Sequence, residues 1–116
     1  MSKWGQLRIL SGDPESFVAH AAGQDAVAIV ASWTPSPRES RSLSAYLTAL
    51  ADLGFAPLVV DSSESGQDLI WPHGLPKACL VVTRPNIGYD FGSWAHALED
   101  FPSLRTLNRV LLTNDS

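Results

Sequence analysis

The chain has 116 residues, of which 45% are hydrophobic and 17% charged, and its formal net charge is −4, so we expect one domain, or part of one, with a real core. The scattered basic residues argue against nucleic-acid binding, and no apolar run reaches the length of a transmembrane helix. The single cysteine, Cys79, excludes an internal disulfide and is typical of a reducing compartment, which favours a soluble cytoplasmic protein.

The first 24 residues predict only an N-terminal extension or a short helix. Asp13 precedes Pro14 and Glu15, an order typical of a helix cap followed by proline at the first helical position. Phe17, Val18 and Ala21 would then form the apolar face of this helix. The main unit is predicted to be residues 25–116.

A strand, a helix and a second strand are predicted next. Residues 25–33, DAVAIVASW, are a continuous apolar run of strand length. In the helix predicted at 36–54, Ser36 to Glu39 match a capping box and Gly54 suits the helix end. Residues 56–60, APLVV, predict a second buried strand. The predicted apolar stripe of the helix is Leu43, Tyr46, Leu47, Leu50 and Leu53.

The second half of the chain predicts two more strands and another helix. Residues 62–77 contain glycine and proline breaks and predict a loop, while 78–83 predict a third strand. Asp90 is expected to cap the next helix, which Pro102 ends, and 109–113 predict a buried fourth strand. The apolar face of this helix is predicted to be Phe91, Trp94, Leu98 and Phe101. Strands joined by helical crossovers indicate an α/β fold with an open, mostly parallel sheet and flanking helices.

Polar residues follow all four predicted strands, at the edge where open parallel sheets bind ligands. Three of these strand ends carry a carboxylate, from Asp61, Asp90 or Asp115, and Asp61 and Asp115 are expected at the solvent edge. Without matching lysine or arginine, such carboxylates are tolerated in water or beside a divalent cation with an anionic ligand. Mg²⁺ or Mn²⁺ with phosphate oxygens would suit a nucleoside diphosphate.

Each of these residues also has a purely structural interpretation. Asp61 could be a solvated turn residue, Asp90 a helix cap, and Gly88 part of a tight turn. The pair Asn114-Asp115 could form an ordinary strand-end turn. Trp33 leaves a strand end where a base or sugar ring could stack, whereas the other tryptophans and Cys79 are expected to pack in the interior. The three histidines are far apart in sequence and predict no zinc site.

One segment resembles a known family. RPNIGYDFGSWAHAL, followed by a strand that ends in Asn-Asp-Ser, resembles the rhamnan-synthesis F family of bacterial polysaccharide proteins. More distantly it is similar to family 2 glycosyltransferases of the GT-A fold, in which a strand delivers an Asp-x-Asp-type motif. ASWTPSPRESRSLSAYLTALADLGFAPLVVDSS resembles the first βαβ unit of that family. The resemblance spans residues 25–116 and implies a Rossmann-like, nucleotide-sugar-binding half of a GT-A fold.

The resemblance also implies residue roles. Asp61 corresponds to the residue that holds the base or ribose, with Ser32 and Thr34 beside it. Asn114 and Asp115 fall at the position that binds Mn²⁺ or Mg²⁺. The donor sugar and diphosphate would lie along a third group of residues, which consists of Arg84, Asn86, Gly88 and Asp90.

The function implied is transfer of a sugar, rhamnose being the one suggested, from a dTDP- or UDP-sugar. The acceptor would be a cell-surface polysaccharide such as lipopolysaccharide, or a lipid-linked precursor, at the cytoplasmic side of the membrane. One carboxylate stands at the metal motif where many relatives have two. The second half of such enzymes supplies the acceptor site and the catalytic base, so the base is unassigned. The chain is therefore expected to be truncated at the metal motif, to be inactive alone and to self-associate.

Three other interpretations remain open at this point. The chain could be a non-catalytic α/β binding or scaffold module, or an inactive remnant of an enzyme. A receiver-like domain fits least well, because the first predicted strand carries no acidic pair and no suitably placed lysine follows.

Overall fold

The computed structural model describes residues 7–33, 41–62, 74–85 and 89–114. Side chains at 41, 42, 89 and 90 are outside this description. The elements in chain order are β1 (Arg8–Ser11), α1 (Pro14–Gln24), β2 (Ala26–Ser32), α2 (Arg41–Asp52), β3 (Ala56–Asp61), β4 (Leu80–Thr83), α3 (Tyr89–Asp100), a 3-10 helix (Pro102–Thr106) and β5 (Arg109–Asn114).

The strands form one sheet in the order β1-β4-β3-β2-β5. The four strands from β2 to β5 pair in parallel, whereas β1 pairs with β4 in the antiparallel direction. The predicted α/β fold with an open, mostly parallel sheet is confirmed. Strand β1 was not predicted, because four residues at a sheet edge are too few to show a clear period of two.

Helices cover both faces of the sheet. On one face, α2 packs Leu43, Leu47 and Leu50 against alternate residues of β2 and β3. On the other face, Phe17 and Ala21 of α1 and Ala97 of α3 pack against the remaining positions of the same strands. Both central strands are therefore buried on both sides, which is why their sequences are continuously apolar.

The start of α1 agrees with the sequence prediction. Asp13 has an extended backbone, and its Oδ2 accepts a hydrogen bond of 2.9 Å from the Ser16 amide. Pro14 is the first residue of the helix, and Phe17 and Ala21 are fully buried while Val18 is partly buried. Residues 13–24 thus belong to the same core as the sheet.

The end of α2 differs in one position. The helix ends at Asp52, and Gly54 adopts the predicted left-handed conformation with φ +92°. Leu53 was predicted to lie on the buried stripe but is exposed, because the chain has already left the helix and the period of 3.6 no longer applies. The predicted capping box, from Ser36 to Glu39, lies outside the described residues.

Helix α3 shows two corrections. It begins at Tyr89, so Asp90 lies in its first turn and is not the residue before it. Phe91 was predicted on the buried face, yet 81% of its surface is exposed. Trp94, Leu98 and Phe101 pack partly buried against the core, as predicted. The buried positions are Gly92, Ser93, His96 and Ala97. Ser93 and His96 are among them because they form hydrogen bonds with a polar group beneath this helix.

Strand β5 was predicted to be buried, but it is an edge strand whose only partner among the described strands is β2. Its residues are exposed or half-buried, Val110 and Leu112 among them. An apolar run cannot by itself distinguish a central strand from an edge strand. Strand β4 also begins later than predicted, since Ala78 adopts a positive φ of 60° in the preceding turn.

The first residues of β5 are attached to the end of α1. Asp25 accepts a hydrogen bond of 3.0 Å from the Asn108 amide, and the Asn108 side-chain amide also donates to its carboxylate. The Asp25 carbonyl accepts a hydrogen bond of 3.2 Å from the Arg109 amide. These bonds fix the register of β5 beside β2. Within the described residues, no helix is both long and apolar enough to cross a membrane.

Candidate functional site

Four predicted site residues lie at one edge of the sheet. The parallel strands end together there, and the register pairs Ser32 with Asp61, Asp61 with Thr83, and Ala31 with Asn114. Arg84 follows Thr83 directly. We call this region, defined by Ser32, Asp61, Arg84 and Asn114, the carboxyl edge.

The carboxyl edge contains the point where the strand order reverses. From β2 the chain proceeds through β3 to β4 on one side, and it then returns to β5 on the other side of β2. In open α/β sheets, ligands bind in the crevice at such a reversal. The crevice between the ends of β2 and β5 is therefore the candidate ligand site.

Backbone hydrogen bonds continue the sheet one residue beyond the strand ends. The Ser62 amide donates to the Ser32 carbonyl at 2.9 Å, and the Arg84 amide donates to the Asp61 carbonyl at 3.0 Å. The Ser62 hydroxyl also reaches the Ser32 carbonyl at 3.3 Å. Three neighbouring strand ends are thus held rigidly side by side.

Asp61 is more deeply placed than predicted. It was expected at the solvent edge, but only 2% of its surface is exposed. The reason is that it ends the central strand β3, with β2 and β4 bonded on either side. A carboxylate in such a position must be hydrogen-bonded or paired with a cation, so Asp61 is a rigid acceptor at the end of β3, next to β2 on the side away from β5.

The carboxyl edge has two sides. Side chains alternate along a strand, so Ser32 and Asp61 lie on the same face of the sheet as Val30 and Val59, which pack against α2. Arg84 lies on the opposite face, where its side chain contacts α3. Asn114 is on the α3 face as well, since it pairs with Ala31, the next position of β2 after Val27 and Ile29 on that face.

Arg84 is almost completely buried, with 5% of its surface exposed. Its Nε donates a hydrogen bond of 3.0 Å to His96 Nδ1, and its Nη1 lies 3.4 Å from the Ser93 hydroxyl. Burial lowers the pKa of Arg84, but a guanidinium in a protein stays protonated. A fixed positive charge is therefore present on the α3 side of the carboxyl edge.

Further polar contacts connect Arg84 and His96 to the start of β1. His96 Nε2 lies 3.6 Å from Asp100 Oδ2, which also accepts a hydrogen bond of 2.9 Å from the Leu7 amide. Sequence reasoning missed Ser93, His96 and Asp100. The available signal was their spacing of three and four residues, which puts them on one helical face.

Trp33 is the first residue after β2, and 52% of its surface is exposed. A large exposed indole beside the strand reversal provides a flat apolar surface on which a planar ring could stack. Cys79, by contrast, is buried in the α2-side core as predicted, and burial raises the pKa of its thiol to about 12. It is therefore a packing residue without nucleophilic character.

The other predicted site residues are only partly covered by the structure. Thr34, Asn86, Gly88 and Asp115 lie outside the described residues. The backbone of Asp90 is in the first turn of α3, but its side chain is not described. Among the described residues, no group of three or more His, Cys, Asp or Glu side chains could hold a metal ion.

Comparison with known proteins returned no relative for this chain: no protein-family model matches it, and neither a curated protein nor a solved structure does. The carboxyl edge, its charges and its strand order are therefore the basis on which a function is proposed.

Proposed function

We propose that the chain is the nucleotide-sugar-binding half of a glycosyltransferase that acts in cell-surface polysaccharide synthesis. The observation that carries the proposal is the position of Ser32, Asp61, Arg84 and Asn114 at the carboxyl edge, around a reversal of strand order. Acceptors and an exposed aromatic ring lie along this edge, and a fixed cation lies on its α3 side. This combination suits a ligand with a ring, hydroxyl groups and a diphosphate.

The strand order supports a Rossmann-like sheet of the GT-A type. Numbered from β2, the parallel strands lie in the order 3-2-1-4, which is the order of the first four strands in doubly wound nucleotide-binding sheets. Helices on both faces complete the same arrangement.

Within this proposal each residue has a chemical role. Asp61 accepts hydrogen bonds from ribose hydroxyls or from the base, and Trp33 stacks on the base. Arg84 stabilises negative charge on the diphosphate. Asn114 and Asp115 supply the hard oxygen ligands that Mn²⁺ or Mg²⁺ prefers, so these residues fit such a cation. The cation, when bound, neutralises the diphosphate leaving group.

The proposal extends to the reaction of the whole enzyme. A rhamnosyl or related group would pass from a dTDP- or UDP-sugar to a polysaccharide or lipid-linked acceptor at the cytoplasmic face of the membrane. The catalytic base is unassigned, and the described part of the chain accounts for donor binding alone.

Thermal unfolding with ligand tests the proposal. At one hundred times its dissociation constant, UDP or dTDP with Mn²⁺ should stabilise the folded chain by about 2.7 kcal/mol, which raises Tm by roughly 10 °C. Asp61→Asn and Asp115→Asn should abolish this shift, because the amide removes the negative charge that the ligand and the cation need. The fold should persist, since the amide has the same shape as the carboxylate.

Asp52→Asn is the matched control, since Asp52 is an exposed carboxylate at the end of α2, away from the carboxyl edge. It should keep the full shift. If neither nucleotide raises the Tm of the wild-type chain at millimolar concentration with Mn²⁺, the chain is not a donor-binding domain.

A second candidate function is favoured by a different observation. Phe91, Val110 and Leu112 are exposed on the α3 side of the sheet. Trp94 stacks edge-to-face on Phe91 at 5.5 Å and donates to the Thr113 carbonyl at 3.0 Å, which connects α3 to β5. These four aromatic and aliphatic residues form what we call the α3–β5 apolar face. Such a surface beside an edge strand is typical of a protein-binding module.

Sedimentation velocity tests this second candidate. The wild-type chain should self-associate as its concentration rises, because the α3–β5 apolar face and the edge of β5 offer both apolar area and backbone hydrogen bonds. Leu112→Lys should yield a monomer, whereas Ile9→Lys on the opposite, bulged edge strand should not. A wild-type chain that stays monomeric at every concentration would exclude association through this face.

A further inference from the structure

The face of α3 that packs on the sheet includes two buried polar residues, Ser93 and His96. Arg84 and His96 are buried and Asp100 is partly buried. Polar groups in such positions lose hydration, and an apolar set of similar volume is often at least as stable. Ser93 and His96 nevertheless replace the apolar residues that the interior side of a helix normally carries. Their common feature is that both contact Arg84.

We propose that Ser93, His96 and Asp100 are positioning residues that hold the guanidinium of Arg84 in one orientation at the carboxyl edge, ready for an anionic ligand. The inference rests on the proposed function, since the anion is the diphosphate of the nucleotide. It adds to that function a set of residues on α3 that do not contact the ligand themselves.

The hydrogen bonds determine which nitrogen of His96 carries its proton. A guanidinium can only donate, so His96 Nδ1 must accept the 3.0 Å bond from Arg84 Nε. The imidazole proton is then on Nε2, which faces Asp100 Oδ2 at 3.6 Å. Asp100 orients the ring, and the ring orients Arg84.

Asp100 is itself held by the backbone. Its Oδ2 accepts a hydrogen bond of 2.9 Å from the Leu7 amide. Because β1 runs antiparallel to β4 and pairs Arg8 with Thr83, the start of β1 lies next to Arg84. The N-terminal strand thereby contributes to fixing the cation at the carboxyl edge.

Fixing an arginine in advance favours anion binding for two reasons. Its side chain has many rotamers, and those already excluded in the free protein need not be lost when the ligand binds. A charge removed from water also interacts more strongly with an anion than a solvated one does. Loss of the orienting residues should therefore weaken nucleotide binding even where the fold persists.

Two substitutions of His96 separate loss of the contact with Arg84 from loss of the imidazole ring. His96→Asn keeps an oxygen acceptor close to the position of Nδ1 and should retain the contact with Arg84. His96→Gln reaches instead toward the position of Nε2 and should lose that contact. With UDP and Mn²⁺ titrated by calorimetry, His96→Gln should bind about tenfold more weakly, a loss typical of removing a residue that orients a binding group. His96→Asn should bind nearly as the wild type does.

Leu104→Ala controls for loss of stability. Leu104 is buried in the same core, in the 3-10 helix after α3, so this variant lowers Tm while the residues around Arg84 stay intact. It should keep wild-type affinity. Equal affinity of His96→Gln and wild type, or an equal loss in Leu104→Ala, would overturn the positioning role.

Nitrogen NMR tests the geometry independently of the nucleotide. The wild type should show the Nε2–H tautomer of His96 and an Arg84 Nε–H protected from exchange. That protection should persist in His96→Asn and vanish in His96→Gln. If the wild type binds no nucleotide, the proposed function fails, and these spectra alone decide whether α3 orients Arg84. An Nδ1–H tautomer would refute the inference.

Discussion

Replacement of Phe17 by alanine is expected to lower the free energy of unfolding by about 4 kcal/mol. Phe17 is fully buried between α1 and the sheet, and its ring meets that of Phe101 edge-to-face with centroids 6.0 Å apart. Truncation removes the apolar contacts and leaves a cavity. Because domains of this size are stable by only about 5–15 kcal/mol, much of the total would be lost. Urea unfolding followed by circular dichroism measures the change.

Phe91→Ala is the matched control for Phe17→Ala. The side chain removed is the same, but 81% of Phe91 is exposed. Its removal should change the free energy of unfolding by no more than about 0.5 kcal/mol. Similar costs for the two variants would mean that the packing of α1 on the sheet is wrong.

Gly12→Ala is expected to cost about 3 kcal/mol. Gly12 follows β1 with φ +94°, a conformation that is unfavourable for alanine by about 1–2 kcal/mol. A Cβ atom there would also lie 2.5 Å from the backbone carbonyl oxygen of Cys79, and backbone cannot move aside as a flexible side chain can. Overpacking of this kind adds about 1–3 kcal/mol. The midpoint of urea unfolding should fall accordingly.

Gly23→Ala tests the opposite sign. Gly23 lies in α1, and a Cβ atom at this position would meet nothing within 4 Å. Alanine should therefore stabilise the chain by about 0.5–1 kcal/mol, since it loses less conformational entropy in a helix. If Gly12→Ala were as stable as Gly23→Ala, β1 would not approach β4 as described.

Both stability predictions concern the first 24 residues, which the sequence suggested were an extension or a short helix. In the structure, α1 covers one face of the sheet and β1 pairs with β4. The Leu7 amide holds Asp100, which orients His96 toward Arg84. A variant that loosens β1, such as Gly12→Ala, is therefore expected to disturb the α3 side of the carboxyl edge as well.

Strands β2 and β3, the start of α1 and the glycine turn after α2 could be predicted from the amino-acid sequence. These elements are specified by signals that act over a few residues: continuous apolar runs, Asp13 before Pro14, and Gly54 after a leucine stripe. Such signals depend on backbone geometry and capping, which are local properties. The polar strand ends could also be predicted to share one edge, because parallel strands end together.

The burial of polar residues on α3 and the position of β5 could not be predicted, because both depend on contacts between distant segments of the chain. Burial of Ser93 and His96 depends on Arg84, which approaches from the end of a different strand. No hydrophobic period can reveal polar residues that satisfy one another inside a protein. The exposure of Val110 and Leu112 likewise depends on the place of β5 at the edge of the sheet. The depth of Asp61 follows from its two neighbouring strands, since burial is a property of packing between distant segments and not of the local sequence.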